Sequence, residues 1–206
     1  MAKKYKIFAI NPGSTSTKLA MFEGEEEIFA SDISHDASKL NEFKEINDQF
    51  DYRKNLILEE LNNNQLSLDE VDAYAAYGGG LVSILGGTYP VNEKLYHHAR
   101  IGYTVKHPAI LGVQLAKYFA DRHGGEVYVV NPPDVDEFDE IARVSGLSDV
   151  YRESRVHALN QKEVARRYAE EAGKKYEQIN LVVVHIGGGL SVTAHRKGMM
   201  VDSNDV

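Results

Sequence analysis

Residues Lys6–Glu26 and Asn180–Met200 carry the same pattern 174 positions apart, and no other feature restricts the fold of this chain as strongly. In each stretch an apolar run ends at a polar residue, and a Gly/Ser turn follows. A second apolar run then leads through a glycine turn to a third. Gly13 falls on Gly187, Thr17 on Ser191, Ala20 on Ala194 and Gly24 on Gly198. Turn glycines answer to backbone geometry rather than to composition, so two of them at one offset point to duplication of a folding unit. A period this long indicates a repeated domain, not a solenoid. At this offset, position 206 corresponds to position 32, so the second copy is expected to be cut short where the first has barely finished its third strand.

The rest of the chain alternates helix and strand. Residues 5–11, 17–22 and 27–33 read as strands, with Glu23-Gly24-Glu25 as the turn between the last two. Residues 38–64 suggest one or two amphipathic helices, Ser67 to Glu70 a capping box opening a short helical turn, and Val71–Tyr77 a buried strand. Leu111, Leu115, Tyr118 and Phe119 fall at helical spacing between His107 and His123. Glu126–Asn131 is a strand closed by Pro132-Pro133. A helix is expected from His157 to Lys175, with Ala158, Ala165, Ala169 and Ala172 on one side, and a strand over 181–186. This order predicts an α/β fold with a mixed sheet and flanking helices. The expected division is a first domain over 1–150 and a connecting helix plus the first strands of a second over 151–206.

Composition narrows the function. With 206 residues and 43% hydrophobic content the chain can bury a substantial core. A net charge of −8 argues against nucleic-acid binding, which rests on cationic neutralisation of phosphates. The absence of cysteine excludes disulfides, thiolate metal sites and a cysteine nucleophile. No apolar run approaches the ~20 residues of a membrane span, and the basic start, Lys3-Lys4-Tyr5-Lys6, precedes an apolar segment too short for a signal peptide. No membrane association and a cytoplasmic location are expected.

Two loops are candidates for chemistry. The first is Asn11-Pro12-Gly13-Ser14-Thr15-Ser16-Thr17-Lys18, where a tight turn, amide N–H groups and four hydroxyls could converge on an anionic oxygen, with Lys18 adding charge. The second is Gly187-Gly188-Gly189, which follows His185 at the end of a buried strand. Three consecutive glycines are costly in entropy unless something approaches the backbone closely. Facing each other, two such loops would form a clamp for nucleotide phosphates. An ordinary polar hairpin turn remains the alternative for the first loop, and a flexible hairpin loop for the second. Neither a Walker A loop nor a dinucleotide-binding fingerprint occurs. His97, His98, His107, His123 and His195 lack metal-ligand spacing and are expected to be surface or structural.

Asn11 to Lys18, His157-Ala-Leu-Asn-Gln-Lys162 and His185-Ile-Gly-Gly-Gly together resemble the butyrate kinases. These belong to the acetate and butyrate kinase family, within the acetate kinase/sugar kinase/Hsp70/actin superfamily. Gly86 to Glu93, Ile141 to Gly146 and Ala194 to Gly198 add to the likeness, which spans nearly the whole chain. The resemblance implies a duplicated actin-like ATPase (ribonuclease H-like) fold. It also implies transfer of the ATP γ-phosphoryl to a short-chain fatty acid such as butyrate, giving an acyl phosphate, with ATP and Mg²⁺ required. It leaves homo-oligomerisation open. Asn11, Gly13, Ser14, Thr15, Ser16, Thr17, Lys18 and Gly187–Gly189 would meet the phosphates. His157 and His185 would sit near the transferring group.

The pattern also departs from that family. Gly78 stands before Gly79-Gly80-Leu81 where the family places an arginine for the acceptor carboxylate, and glycine carries no charge to pair with it. Asn131 replaces an aspartate that helps organise the site around magnesium, and Ile110 replaces an asparagine. The family's nucleotide lobe continues beyond residue 206. These departures predict little or no kinase activity from this chain alone. They keep a second reading in play, a catalytically inactive binding or assembly module.

Overall fold

A computed structural model describes residues 3–187 and 189–204 and divides the chain into two compact units. One contains the chain up to Leu81 together with Thr88–Val130; the other contains Val82–Gly87 and the chain from Asn131 onward.

In the first unit, β1 (Lys6–Pro12), β2 (Ser16–Glu23) and β3 (Glu26–Ser34) form an antiparallel meander. Gly24 takes a φ of +64° at the second turn, a conformation that glycine adopts without strain. β4 (Ala73–Ala76) and β6 (Glu126–Val130) extend the sheet in parallel from β1, and the short β5 (Thr88–Pro90) pairs antiparallel to β6. The six-stranded order β3-β2-β1-β4-β6-β5 is the mixed sheet expected from the alternation of elements. Parallel neighbours need crossovers, and the polar 38–64 segment supplies the first as α1 (Ala37–Leu40), a 3₁₀ turn (Ile46–Gln49) and α2 (Phe50–Asn63).

The second crossover contains α3 (Glu93–Ile101), which the sequence pattern did not single out, and α4 (Ile110–His123). α4 buries Ile110, Leu111, Val113, Leu115, Ala116 and Phe119 against the sheet residues Phe8, Ile10, Tyr74 and Val129. Gly112 lets it sit so close: a Cβ there would lie 2.2 Å from the Tyr77 carbonyl oxygen. Ser67–Glu70 forms a turn and not the expected helical one. Ser67 Oγ accepts the Asp69 N–H, and the Asp69 carboxylate turns outward to His123.

In the second unit, α5 (Ala158–Glu171) packs on the sheet β7 (Asn180–Ile186), β8 (Leu190–Arg196) and β9 (Met199–Ser203). The helix stops earlier than Lys175 because Gly173 adopts a φ of +66°, which leaves Ala172 exposed at the cap while Ala158, Ala165 and Ala169 are buried. A buried ion pair, Lys162 Nζ to Glu137 Oε2 at 2.8 Å, ties the helix to the loop that precedes it. Glu137 also accepts the Gly86 and Met200 amides, and Lys162 donates to the Gly198 carbonyl. This cluster explains Gly86, where a Cβ would come within 2.6 Å of Glu137 Oε1. No helix among the described residues is long and apolar enough to cross a membrane.

Both copies of the three-stranded meander are present, with one correction to the constant offset. Pro12 pairs with Thr17, whereas Ile186 pairs with Leu190, so the second hairpin is one residue tighter. A one-residue slip turns a strand over. Thr17, Leu19 and Met21 and their counterparts Ser191, Thr193 and His195 are therefore buried alike, but Val182 and Val184 are exposed where Phe8 and Ile10 are buried.

Candidate functional site

In the first unit, β1, β4 and β6 run parallel, and the segments leaving their carboxyl ends are Gly13–Ser16, Tyr77–Leu81 and the residues after Val130. Ligands of α/β sheets bind outside these ends. The first hairpin is closed by the Gly13 N–H donating to the Ser16 carbonyl at 2.7 Å. Its tip residues Ser14 and Thr15 are exposed, and their amide N–H groups find no acceptor among the described residues.

Three of its four hydroxyls are already engaged. Ser14 Oγ lies 3.2 Å from His107 Nε2; the Ala109 N–H donates to His107 Nδ1, so the ring proton sits on Nε2 and points to Ser14. Burial, then the Arg53 charge, lowers the His107 pKa and favours this neutral form. Ser16 bonds to Asp32, as does Lys18, so the Lys18 charge is compensated across β2 and β3. Thr17 is fully buried, with its hydroxyl 2.8 Å from His35 Nε2 and accepting from Arg53 Nη1 at 2.9 Å. Asn11 lies exposed at the end of β1, opposite Lys18.

Gly78, Gly79 and Gly80 are buried against the sheet and the start of α4. A Cβ on Gly78 would meet Val129 Cγ1 at 3.0 Å and Val113 Cγ2 at 3.6 Å, and one on Gly79 would meet Ala109 Cβ at 3.2 Å. Gly80, at a φ of +67°, approaches the Val105 carbonyl. The position at which the family resemblance calls for an arginine therefore points into packed aliphatic side chains, and a long side chain there requires its neighbours to move.

In the second unit, Asn131 is buried at a φ of +39°, which asparagine tolerates better than most residues, and its Oδ1 accepts the Gly87 N–H at 2.8 Å. His157, just before α5, and His185, near the end of β7, come together: their rings stack at 3.8 Å with 8° between planes. Asn160 donates its amide to His185 Nδ1 at 2.8 Å, which places the His185 proton on Nε2. His157 Nδ1 bonds to the buried Ser191 hydroxyl, which also takes the His157 N–H. Burial, and secondarily the facing His185, lowers the His157 pKa. Gly187 leaves this edge open, since a Cβ there would sit 3.2 Å from His185 Nε2. Gly189 is described and Gly188 lies outside the described residues. The stack thus offers the His185 Nε2–H beside a glycine turn, an arrangement suited to an anionic oxygen that gains charge during reaction.

Butyrate kinases 1 and 2 of Clostridium acetobutylicum are each 44% identical to the chain, over 201 and 202 residues respectively, 98% of its length. The chain is a butyrate kinase homologue. It spans 57% of the length of these two relatives. Acetate kinase of Porphyromonas gingivalis matches 97% of the chain with a TM-score of 0.65 at 16% identity, a likeness that shows the fold alone. That fold is the actin-like one expected from the resemblance. No family model matches the chain.

Three residues at the first hairpin escaped sequence reasoning. His107 was expected to be surface or structural, yet it bonds to the hairpin tip. His35 and Arg53 carried no signal, because nothing near either of them in the chain distinguishes them from ordinary residues of a polar segment.

Proposed function

We propose that the chain belongs to an apparatus that moves the γ-phosphoryl of ATP onto the carboxylate of a short-chain fatty acid such as butyrate, giving an acyl phosphate and ADP. The observation that carries the reading is the stacked pair His157 and His185 beside the Gly187–Gly189 turn, in a chain 44% identical to named butyrate kinases. In this reading the Ser14 and Thr15 amides of the first hairpin and the glycine turn of the second take phosphate oxygens. The His185 Nε2–H meets the oxygen that gains charge. Such chemistry depends on positioning and neutralisation more than on bond-making by the protein. ATP accompanied by Mg²⁺ is the nucleotide form it calls for.

Gly78 and Asn131 favour a second reading, a phosphate-binding or assembly module with little turnover. Gly78 brings no guanidinium to the acceptor, and Asn131 has lost a charge and spends its oxygen on Gly87. Losing one preorganised donor costs about 10²–10³ in rate, and here two groups are changed. A hydroxamate assay with this chain, ATP, Mg²⁺ and butyrate separates the readings. Acyl phosphate formation at most about a hundredth of that of a butyrate kinase run alongside is the expected result. Equal turnover would discard the module reading, and absence of any ATP binding would discard the kinase reading.

A further inference from the structure

Arg53 is fully buried beneath the first hairpin, and among the described residues no carboxylate bonds to it. Its partners are all neutral. Nε and Nη2 donate to Gln49 Oε1 at 3.1 and 2.9 Å, and Nη1 donates to the Ser16 carbonyl at 3.2 Å and to Thr17 Oγ1 at 2.9 Å. Burial pulls its pKa down to about 10, which still leaves it charged at neutral pH. A buried guanidinium ordinarily finds an acidic partner, because removing an ion from water costs several kcal/mol. Here the chain tolerates one with none.

The neighbouring His35 sharpens the anomaly. Its Nε2 bonds to Thr17 Oγ1, while its Nδ1 is buried without a partner. Burial, then the Arg53 charge, lowers its pKa to about 4, so His35 adds no charge of its own. Its backbone N–H also holds the Thr15 carbonyl at 2.8 Å. The carbonyls of Thr15 and Ser16 are thus gripped by His35 and Arg53, while the amides of Ser14 and Thr15 are left for another acceptor. Arg53 also lies in the first turn of α2, whose helix dipole adds positive potential at the same place.

We infer that Arg53 is a positioning residue of the first hairpin: it fixes the Ser16 carbonyl and Thr17 hydroxyl, and its uncompensated charge is the internal counter-ion of a phosphate group held at the Ser14–Thr15 tip. The missing carboxylate partner is then supplied by the ligand. This rests on the reading of the hairpin as a phosphate site. An acidic residue in place of the ligand would neutralise the loop permanently and remove its attraction for anions.

The test is a titration of the isotope-labelled chain with inorganic phosphate, following the Ser14–Thr17 amide signals by NMR at low and high KCl. The unsubstituted chain is expected to show saturable shifts whose affinity falls with salt. Arg53→Met is expected to weaken binding about tenfold and to flatten the salt dependence. Lys117→Gln, a change in the middle of α4 where the ammonium pairs with Asp121, is expected to alter neither. Arg53→Lys keeps the charge and loses the fork, so it is expected to keep the salt dependence while weakening affinity several-fold. That variant carries the test if Arg53→Met does not fold. If the unsubstituted hairpin amides ignore phosphate and ATP alike, the phosphate-site reading falls and the inference with it. If they respond and either Arg53 variant binds with unchanged affinity and salt dependence, the inference alone is overturned. If affinity drops with the salt dependence intact in Arg53→Met, Arg53 merely shapes the loop, and its role as counter-ion is refuted.

Discussion

Replacing His195 by glutamine should remove a specific part of the acid sensitivity of this protein. His195 sits on β8, 2% exposed, with both ring nitrogens committed. Gln161 donates its amide to the Ser191 carbonyl and so offers Oε1 to His195 Nε2, at 3.0 Å; the Tyr176 hydroxyl therefore donates to Nδ1. The neutral Nε2–H tautomer satisfies every partner, and a second proton would face the Tyr176 hydroxyl. Burial first, then the Lys162 charge, lowers the pKa from 6.5 to about 4, with Glu137 opposing. A histidine whose folded pKa is depressed contributes stability above its unfolded pKa and loses it as pH falls toward the folded value. With pKa values of about 6.5 unfolded and 4 folded, lowering the pH from about 7 to 5 costs about 1.8 kcal/mol through this one group. Urea unfolding followed by circular dichroism at the two pH values measures it. The His195→Gln chain should be less stable at pH 7, having lost a fitted network, but its stability should fall by about 1.8 kcal/mol less over the same interval. An unchanged pH dependence would show that His195 is already protonated at pH 5 and that the tautomer assignment is wrong.

Two other substitutions probe the packing that places the candidate site. Gly112→Ala puts a methyl group 2.2 Å from the Tyr77 carbonyl and must push α4 off the sheet, so a loss of about 3 kcal/mol or more is expected in urea unfolding, with His107 drawn away from Ser14. Glu137→Gln leaves the Lys162 ammonium buried beside a neutral amide; about 3–5 kcal/mol of destabilisation is expected, whereas replacing both partners by apolar residues of similar volume should cost much less. A double-substitution cycle by thermal unfolding distinguishes the two cases.

The strand–turn–strand pattern at Lys6 and again at Asn180 was readable because both its elements are local. Alternating apolar residues specify a half-buried strand, and Gly24 and Gly198 specify turns that only a positive φ can close. The helix over 110–123 and its stop at Gly124 were legible for the same reason. The Asn11–Lys18 and His185–Gly189 motifs also lie in continuous stretches, so the family likeness could be stated from residues alone. The exposed faces of Val182 and Val184 could not, because a single residue removed from a hairpin turns the strand over, and register is decided by pairing across the sheet.

The environment of the first hairpin belongs to the same class. His107, His35 and Arg53 reach it from positions 93, 18 and 36 residues away from their partners Ser14 and Thr17. Hydrogen bonds between side chains that far apart leave no periodic trace in the chain. Sequence alone determined most of the elements, the repeated meander and the likeness to the butyrate kinases, since these rest on local propensity and contiguous motifs. Tertiary structure alone decided that Gly78 faces Val129, that His157 stacks on His185, and that a buried arginine lies under the hairpin with no carboxylate bonded to it among the described residues. Each of these depends on which distant groups close packing forces together, and the free energy of a buried charge or imidazole is set by those neighbours.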